Sequence, residues 1–174
     1  IRHKYDGTIT NFICYPITST LYNTKIRQPI GGDFALSIDL AKDLLSSPLW
    51  KHPYLSRFGI DIFETHTALA KGYEVKQAFL GAKIHDVKDP SKDLASMFTQ
   101  VLGSLYHCIN FYVKDWKSIP GSSSVESKEI IQHTLEPEPV ELDLQSLITV
   151  YKEGVYLYRP LYKKILPDDL YRSI

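Results

Sequence analysis

Apolar residues recur at helical spacing over most of the chain. The longest such pattern opens at Ser91, and its apolar side chains form one stripe down to about Trp116. A second long pattern, rich in tyrosine, predicts a helix from Leu142 to Ile165. Shorter patterns predict further helices at 8–23, after Asp33, from about Ile60 to Gly72, and at 126–135. The chain is therefore expected to be mostly helical.

Other positions interrupt this helical pattern. Pro16 falls inside the first predicted helix and should kink it or split it. Alternating apolar residues from Tyr73 to Ile84 predict a strand. The segment Pro120–Ser124 is the clearest linker. These signals divide the chain into a domain at 1–118, a linker at 119–124 and a helical C-terminal extension at 125–174, and they predict an α/β fold with few strands.

The composition supports a packed protein. Of the 174 residues 44% are hydrophobic and 12% aromatic, which excludes a disordered chain. Twenty Lys and Arg balance twenty Asp and Glu, so no overall field attracts nucleic acid. No apolar run approaches the roughly 20 residues of a membrane span, and the N-terminus lacks the charged-then-apolar layout of a signal peptide, so a cytoplasmic location is expected.

The cysteines and the first residue add two further observations. Cys14 and Cys108 lack a CxxC spacing, which disfavours a disulfide framework and a zinc site. The chain opens with Ile1 and its one methionine is Met97, which suggests a fragment of a longer protein.

His85 lies in the loop that follows the predicted strand, GAKIHDVKDP. In open α/β sheets, this is the end of a strand at which ligands bind. His85 is either a metal ligand, with Asp86 and Asp89 nearby, or a histidine that simply faces solvent. A stand-alone metal hydrolase built on these three residues is a further, weaker alternative.

Asp61 opens a predicted helix in the sequence FGIDIFE. The carboxylate there either caps the helix and interacts with its dipole, or orients a sugar hydroxyl and takes part in proton transfer. The spacing of the residues does not separate these two interpretations.

Arg2, Asp6 and Thr10 are four residues apart, so a helix would place them on one face. A guanidinium, a carboxylate and a hydroxyl on one face suit a small acceptor that carries a carboxylate and hydroxyls, although a solvated face is the alternative. Arg27, Gln28 and the backbone amides of Gly31 and Gly32 would form a second wall, beside Asp33, which we expect to cap the next helix.

The string YDGTIT is similar to the nucleophile loop of haloacid-dehalogenase-like phosphatases. Lys4 stands where that loop needs its attacking aspartate, and a covalent aspartyl phosphate requires the carboxylate. The phosphatase interpretation is therefore weak.

Four segments together, RHKYDGTITN, RQPIGGDF, FGIDIF and FLGAKIHDVKDP, resemble the second half of GT-A-type glycosyltransferases of the glucosylglycerate, mannosylglycerate and glucosyl-3-phosphoglycerate synthase group. The resemblance runs from Arg2 to about Trp116. It implies the C-terminal, acceptor-binding part of a GT-A nucleotide-diphospho-sugar transferase fold. It also implies retaining transfer of a hexose from a nucleotide-diphosphate sugar to glycerate or a similar small acceptor, with Mg²⁺ or Mn²⁺.

The same resemblance assigns roles to individual residues. His85 corresponds to the metal-binding histidine, and Asp61 to the acidic residue between donor sugar and acceptor. The acceptor-binding positions of the family correspond to Arg2, Asp6, Thr10, Gly31, Gly32 and Asp33. Asp86 stands where relatives often have a basic residue, which leaves open whether the acceptor is phosphorylated.

A second function class stays open beside the enzyme. The tail from Leu142 to Ile174 is predicted to be a helical interaction module that drives homodimerisation, since tyrosines are favoured at interfaces. The tyrosines concerned are Tyr151, Tyr156, Tyr158 and Tyr162.

Overall fold

The computed structural model describes residues 7–80, 90–120, 127–129 and 143–174, with the backbone alone at 90–93 and 127–129. The described chain is mostly helical with two short strands. It divides into two compact units, Ile1–Pro137 and Glu138–Ile174. Each unit is taken by itself below.

The first helical segment contains a π-helical turn. Thr10–Cys14 form this turn, and α1 continues from Tyr15 to Tyr22. The backbone N–H of Tyr15 donates to the carbonyl of Thr10, five residues earlier. Pro16 follows directly, and a proline has no N–H and clashes with the carbonyl four residues before it, so a wider turn accommodates it. The predicted irregularity is confirmed, as a π-helical turn.

Helix α2 runs from Ile38 to Leu45. Its N-cap is Ser37, whose Oγ accepts a hydrogen bond of 3.2 Å from the N–H of Leu40. The expectation that Asp33 caps this helix is wrong, because the segment from Asp33 to Ser37 is not helical. A 3₁₀-helix at Pro48–Lys51 follows α2, because Ser47 and Pro48 end the α-helical hydrogen bonding.

Three further helices complete the framework of this unit. Helix α3 spans Ile60–Ala70, α4 spans Pro90–Phe111, and α5 spans Val113–Lys117. Gly72, at which the sequence predicts the end of this helix, has φ of +75° and follows α3 in the left-handed conformation that glycine adopts most easily. The long stripe predicted to reach Trp116 is confirmed, except that the helix is interrupted at Tyr112.

The apolar faces of α3 and α4 pack against each other around two clusters of buried side chains. One cluster is centred on Leu49, Leu55 and Phe63. The other joins Ile9 of the first helical segment to Ile62 of α3 and Leu105 of α4. This second cluster holds the N-terminal helix, the loop at Ile30 and α3 together.

The two strands are short and parallel. Strand β1, Gln77–Phe79, pairs with β2, Ser127–Glu129, and Gln77 lies opposite Ser127. The alternation that predicts a strand at 73–84 is thus confirmed over three residues, and 81–84 lie outside the described residues. The helix predicted at 126–135 is wrong at 127–129, which form β2. The predicted linker at 119–124 lies mostly outside the described residues.

The second unit contains α6, Leu144–Ile165, and α7, Asp168–Arg172. The Asp143 carboxylate caps α6 by accepting a hydrogen bond of 2.9 Å from the N–H of Ser146. The predicted helix is confirmed and ends at the predicted Ile165. Among the described helices, none is long and apolar enough to cross a bilayer.

Candidate functional site

A loop between α1 and α2 is fixed to α3 by one buried hydrogen bond. The hydroxyl of Thr65 donates to the carbonyl oxygen of Pro29 over 2.7 Å. Pro29 is fully buried, and Ile30 next to it packs against the second apolar cluster. The glycines that follow, Gly31 and Gly32, are therefore exposed on a loop whose base is held in place.

The part of this loop at 27–33 begins at Arg27, and Arg27 joins it to two other segments of the chain. Its Nη2 donates a hydrogen bond of 2.6 Å to Oδ1 of Asn11, and its guanidinium lies over the ring of Tyr15, 4.6 Å from the centroid. Its backbone N–H donates to Oε1 of Gln77, the first residue of β1, over 2.5 Å. The guanidinium is thus oriented by an amide and an aromatic ring, and it stays exposed to solvent.

Helix α3 carries two carboxyl groups near its N-terminus, Asp61 in its first turn and Glu64 three residues later. Asp61 lies one helical turn before Thr65, on the side of α3 that holds the Pro29 loop. Burial raises the pKa of Glu64, and the negative charge of Asp61 raises it further. The raised pKa of Glu64 thus follows from its burial and from the carboxylate one turn away.

Buried polar and aromatic side chains join this part of α3 to α1. Nε2 of His66 and the hydroxyl of Thr18 share a hydrogen bond of 3.0 Å, and the ring of Tyr22 meets the imidazole edge-on at 4.9 Å between centroids. His66 is fully buried, and this burial lowers its pKa to about 3. The imidazole is therefore neutral at physiological pH and acts as a structural link between α1 and α3.

The structure brings together some of the residues predicted from the sequence. Gly31, Gly32 and Asp33 lie on the exposed loop, and Gly32 has φ of +74°, which favours glycine. These residues follow Pro29, which Thr65 of α3 holds, and Asp61 lies one helical turn before Thr65.

Other predicted site residues are placed differently or not described. Thr10 lies in the π-helical turn and is only 2% exposed. Arg2, Asp6 and His85 lie outside the described residues, as do Asp86 and Asp89, so the shared face of Arg2, Asp6 and Thr10 stays a prediction.

Residues that sequence reasoning missed connect the site. Asn11, Tyr15 and Gln77 hold Arg27, and Thr65 holds Pro29. The four-residue spacings from Asn11 to Tyr15 and from Asp61 to Thr65 are visible in the sequence and show that each pair shares a helix face. The sequence does not show which residue of a distant segment each pair contacts.

The metal that the resemblance implies finds no complete set of ligands in the described part of the chain. Among residues 7–80, 94–120 and 143–174, no three His, Cys, Asp or Glu side chains are grouped so as to hold an ion. His85, to which the resemblance assigns the metal, lies outside these residues.

Comparison of the chain with protein-family models, with curated proteins and with solved structures found no match.

Proposed function

We propose that this chain supplies the acceptor-binding part of a retaining, metal-dependent glycosyltransferase of the GT-A type. The donor would be a nucleotide-diphosphate sugar, and the acceptor glycerate or another small hydroxy acid. The proposal starts from the resemblance of four sequence segments to such enzymes.

One observation carries the proposal further than the sequence does. The contacts of the loop that begins at Arg27 join the first two segments directly, because Asn11 belongs to the first and Arg27 and Pro29 to the second. They also reach Gln77, which lies two positions before the fourth segment. Thr65, one turn after Asp61 of the third segment, holds the same loop. Contacts that span 16, 36 and 50 positions of the sequence thus converge on one loop, as a shared binding site requires.

The chemistry of this region suits an acceptor with a carboxylate and hydroxyl groups. The guanidinium of Arg27 is exposed and already oriented, so it offers paired N–H donors to a carboxylate with little loss of side-chain entropy. The backbone of the loop at Gly31 and Gly32 allows close approach, since glycine has no side chain. Asp61 would orient an acceptor hydroxyl from the first turn of α3.

The binding of D-glycerate to the 174-residue chain tests this proposal. We expect a titration followed by NMR to shift the amide signals of the Arg27 loop and of the first turn of α3. Arg27→Lys keeps the charge but loses the planar fork, so we expect binding to weaken about tenfold. Arg172→Lys on α7 is the matched control and should leave binding unchanged.

Failure of glycerate to shift these signals in the folded chain would overturn the proposal, as would equal weakening by both substitutions. For the transfer reaction itself, we expect the complete protein to need Mg²⁺ or Mn²⁺ and to lose activity on His85→Ala. Full transfer activity in that variant would remove His85 from the mechanism.

A further inference from the structure

A column of exposed apolar side chains runs along the whole of α6. Leu144, Tyr151, Tyr158 and Ile165 are seven residues apart and are 65%, 62%, 50% and 62% exposed. Residues seven apart lie two turns apart on nearly the same line of a helix, so the column is about 32 Å long. No residue of α6 is buried within the part of the chain that the structure describes.

The column has an apolar flank on each side. One flank consists of Leu147, Gly154 and Leu161, and the other of Ile148, Val155 and Tyr162. Each member of a flank is again seven residues from the next. Apolar positions that repeat every seven residues, in alternating steps of three and four, are typical of a helix that packs against another helix.

Helix α7 covers part of one flank. Nε of Arg159 donates a hydrogen bond of 3.2 Å to the hydroxyl of Tyr171 in α7. Arg159 is four residues after Val155 and three before Tyr162, so it shares their side of α6. Val155 and Tyr162 are half-buried, as are Leu147 and Gly154 of the other flank, whereas the central column and Leu161 are exposed.

We propose that this open surface is where a second copy of the chain binds, packing α6 against α6. The surface is the central column with its Leu147–Gly154–Leu161 flank. These side chains expose on the order of 700 Å² in each copy, close to the roughly 800 Å² that each partner buries in an interface of standard size. Gly154 lacks a side chain, so it leaves room for the facing helix at the middle of the contact.

The positions of the tyrosines favour a protein partner over a lipid surface. Tyr151 and Tyr158 occupy the centre of the apolar face, whereas interfacial membrane helices bury that centre in acyl chains, which offer a hydroxyl no hydrogen-bond partner. A facing helix can offer one. Tyr156, by contrast, is 84% exposed and lies away from the column. The four tyrosines from which the sequence predicts a dimer interface therefore do not lie on one face of α6.

This inference does not depend on glycosyl transfer, and its test is separate. Sedimentation equilibrium of the full 174-residue chain should show reversible self-association. Tyr158→Ala should raise the dissociation constant at least about 30-fold, as expected for an aromatic at the centre of an interface. Tyr156→Ala, two residues away on the other face, is the matched control and should change it less than about twofold.

Circular dichroism shows whether each variant keeps its helix content. If Tyr158→Ala loses helix, Leu144→Ala in the first turn replaces it and should weaken association in the same direction. A monomeric wild-type chain at every concentration would overturn the proposal, and so would equal effects of the two tyrosine substitutions. Binding of a monomeric chain to phosphatidylserine vesicles would assign the surface to lipid instead.

Discussion

His66 and Thr18 share a buried hydrogen bond of 3.0 Å between Nε2 and Oγ1, which joins α3 to α1 across 48 positions of the sequence. The second ring nitrogen, Nδ1, has no hydrogen-bond partner among the described residues. The imidazole can hold this place only in its neutral form, since a buried charge without a partner is strongly unfavourable.

The stability of the first unit should therefore depend on pH through His66. The unfolded imidazole binds a proton near pH 6.5, whereas the folded one stays neutral down to a pKa of about 3. Its contribution is complete above pH 6.5 and falls by about 1.4 kcal/mol for each pH unit below that. Urea unfolding should show a loss of about 2 kcal/mol between pH 7 and pH 5 that His66→Gln removes.

His52→Gln serves as the control for this measurement. Burial and the neighbouring His107 lower the pKa of His52 as well, so it contributes with the same sign. Because His52 is only half-buried, it contributes less than His66. The His52→Gln variant should therefore keep most of the loss in the free energy of unfolding between pH 7 and pH 5. An unchanged slope in His66→Gln would contradict the role assigned to this residue.

Thr65→Val should destabilise the unit by about 1–2 kcal/mol, because it removes the donor for the buried carbonyl of Pro29. Thr99→Val is the matched control: the hydroxyl of Thr99 also donates to a carbonyl, that of Ala95, but on an exposed helix face. We expect its effect on the free energy of unfolding to stay below about 0.5 kcal/mol. Equal losses in the two variants would show that the loop is held by other contacts.

Gly59→Ala should lower the free energy of unfolding by about 2–3 kcal/mol, because a Cβ there overlaps the side chain of Ser104 and lies 2.7 Å from the carbonyl oxygen of Tyr54. Gly31→Ala is the control in another loop. Its Cβ would come no closer than 3.5 Å, to the carbonyl of Gln28, so the effect should lie between zero and a small stabilisation. Thermal unfolding of both variants measures the difference, and a tolerated Gly59→Ala would contradict the tight packing of α3 on α4.

The two cysteines should be unreactive in the folded protein. Both are fully buried, and this burial raises the pKa of Cys14 and Cys108 to about 12. Thiolate is the reactive form, so a thiol reagent at pH 8 should label neither residue until the chain is denatured. Rapid labelling of either thiol in the native chain, followed by mass spectrometry, would show that the helix around it opens locally.

Local patterns predict most of the helices, because a helix with an apolar stripe is stable wherever that stripe packs against other apolar side chains. The segments at Ile60–Ala70, at Leu144–Ile165 and from Pro90 to Lys117 follow this rule. The prediction failed where two local signals competed: Asp33 offers a cap, but Ser37 provides the cap that forms, and Phe34 and Leu36 remain in a non-helical segment. It failed again at 127–129, where pairing with a distant strand decides the conformation.

The sequence alone determined which faces of the helices are apolar and where most of the helices begin and end. Periodicity and capping are properties of neighbouring residues, so they can be read without coordinates. Only the tertiary structure decided that Arg27 meets Asn11 and Gln77, and that Thr65 holds Pro29. Such contacts, and the lowered pKa of His66, depend on how helices pack and on what that packing removes from water, which no local pattern specifies.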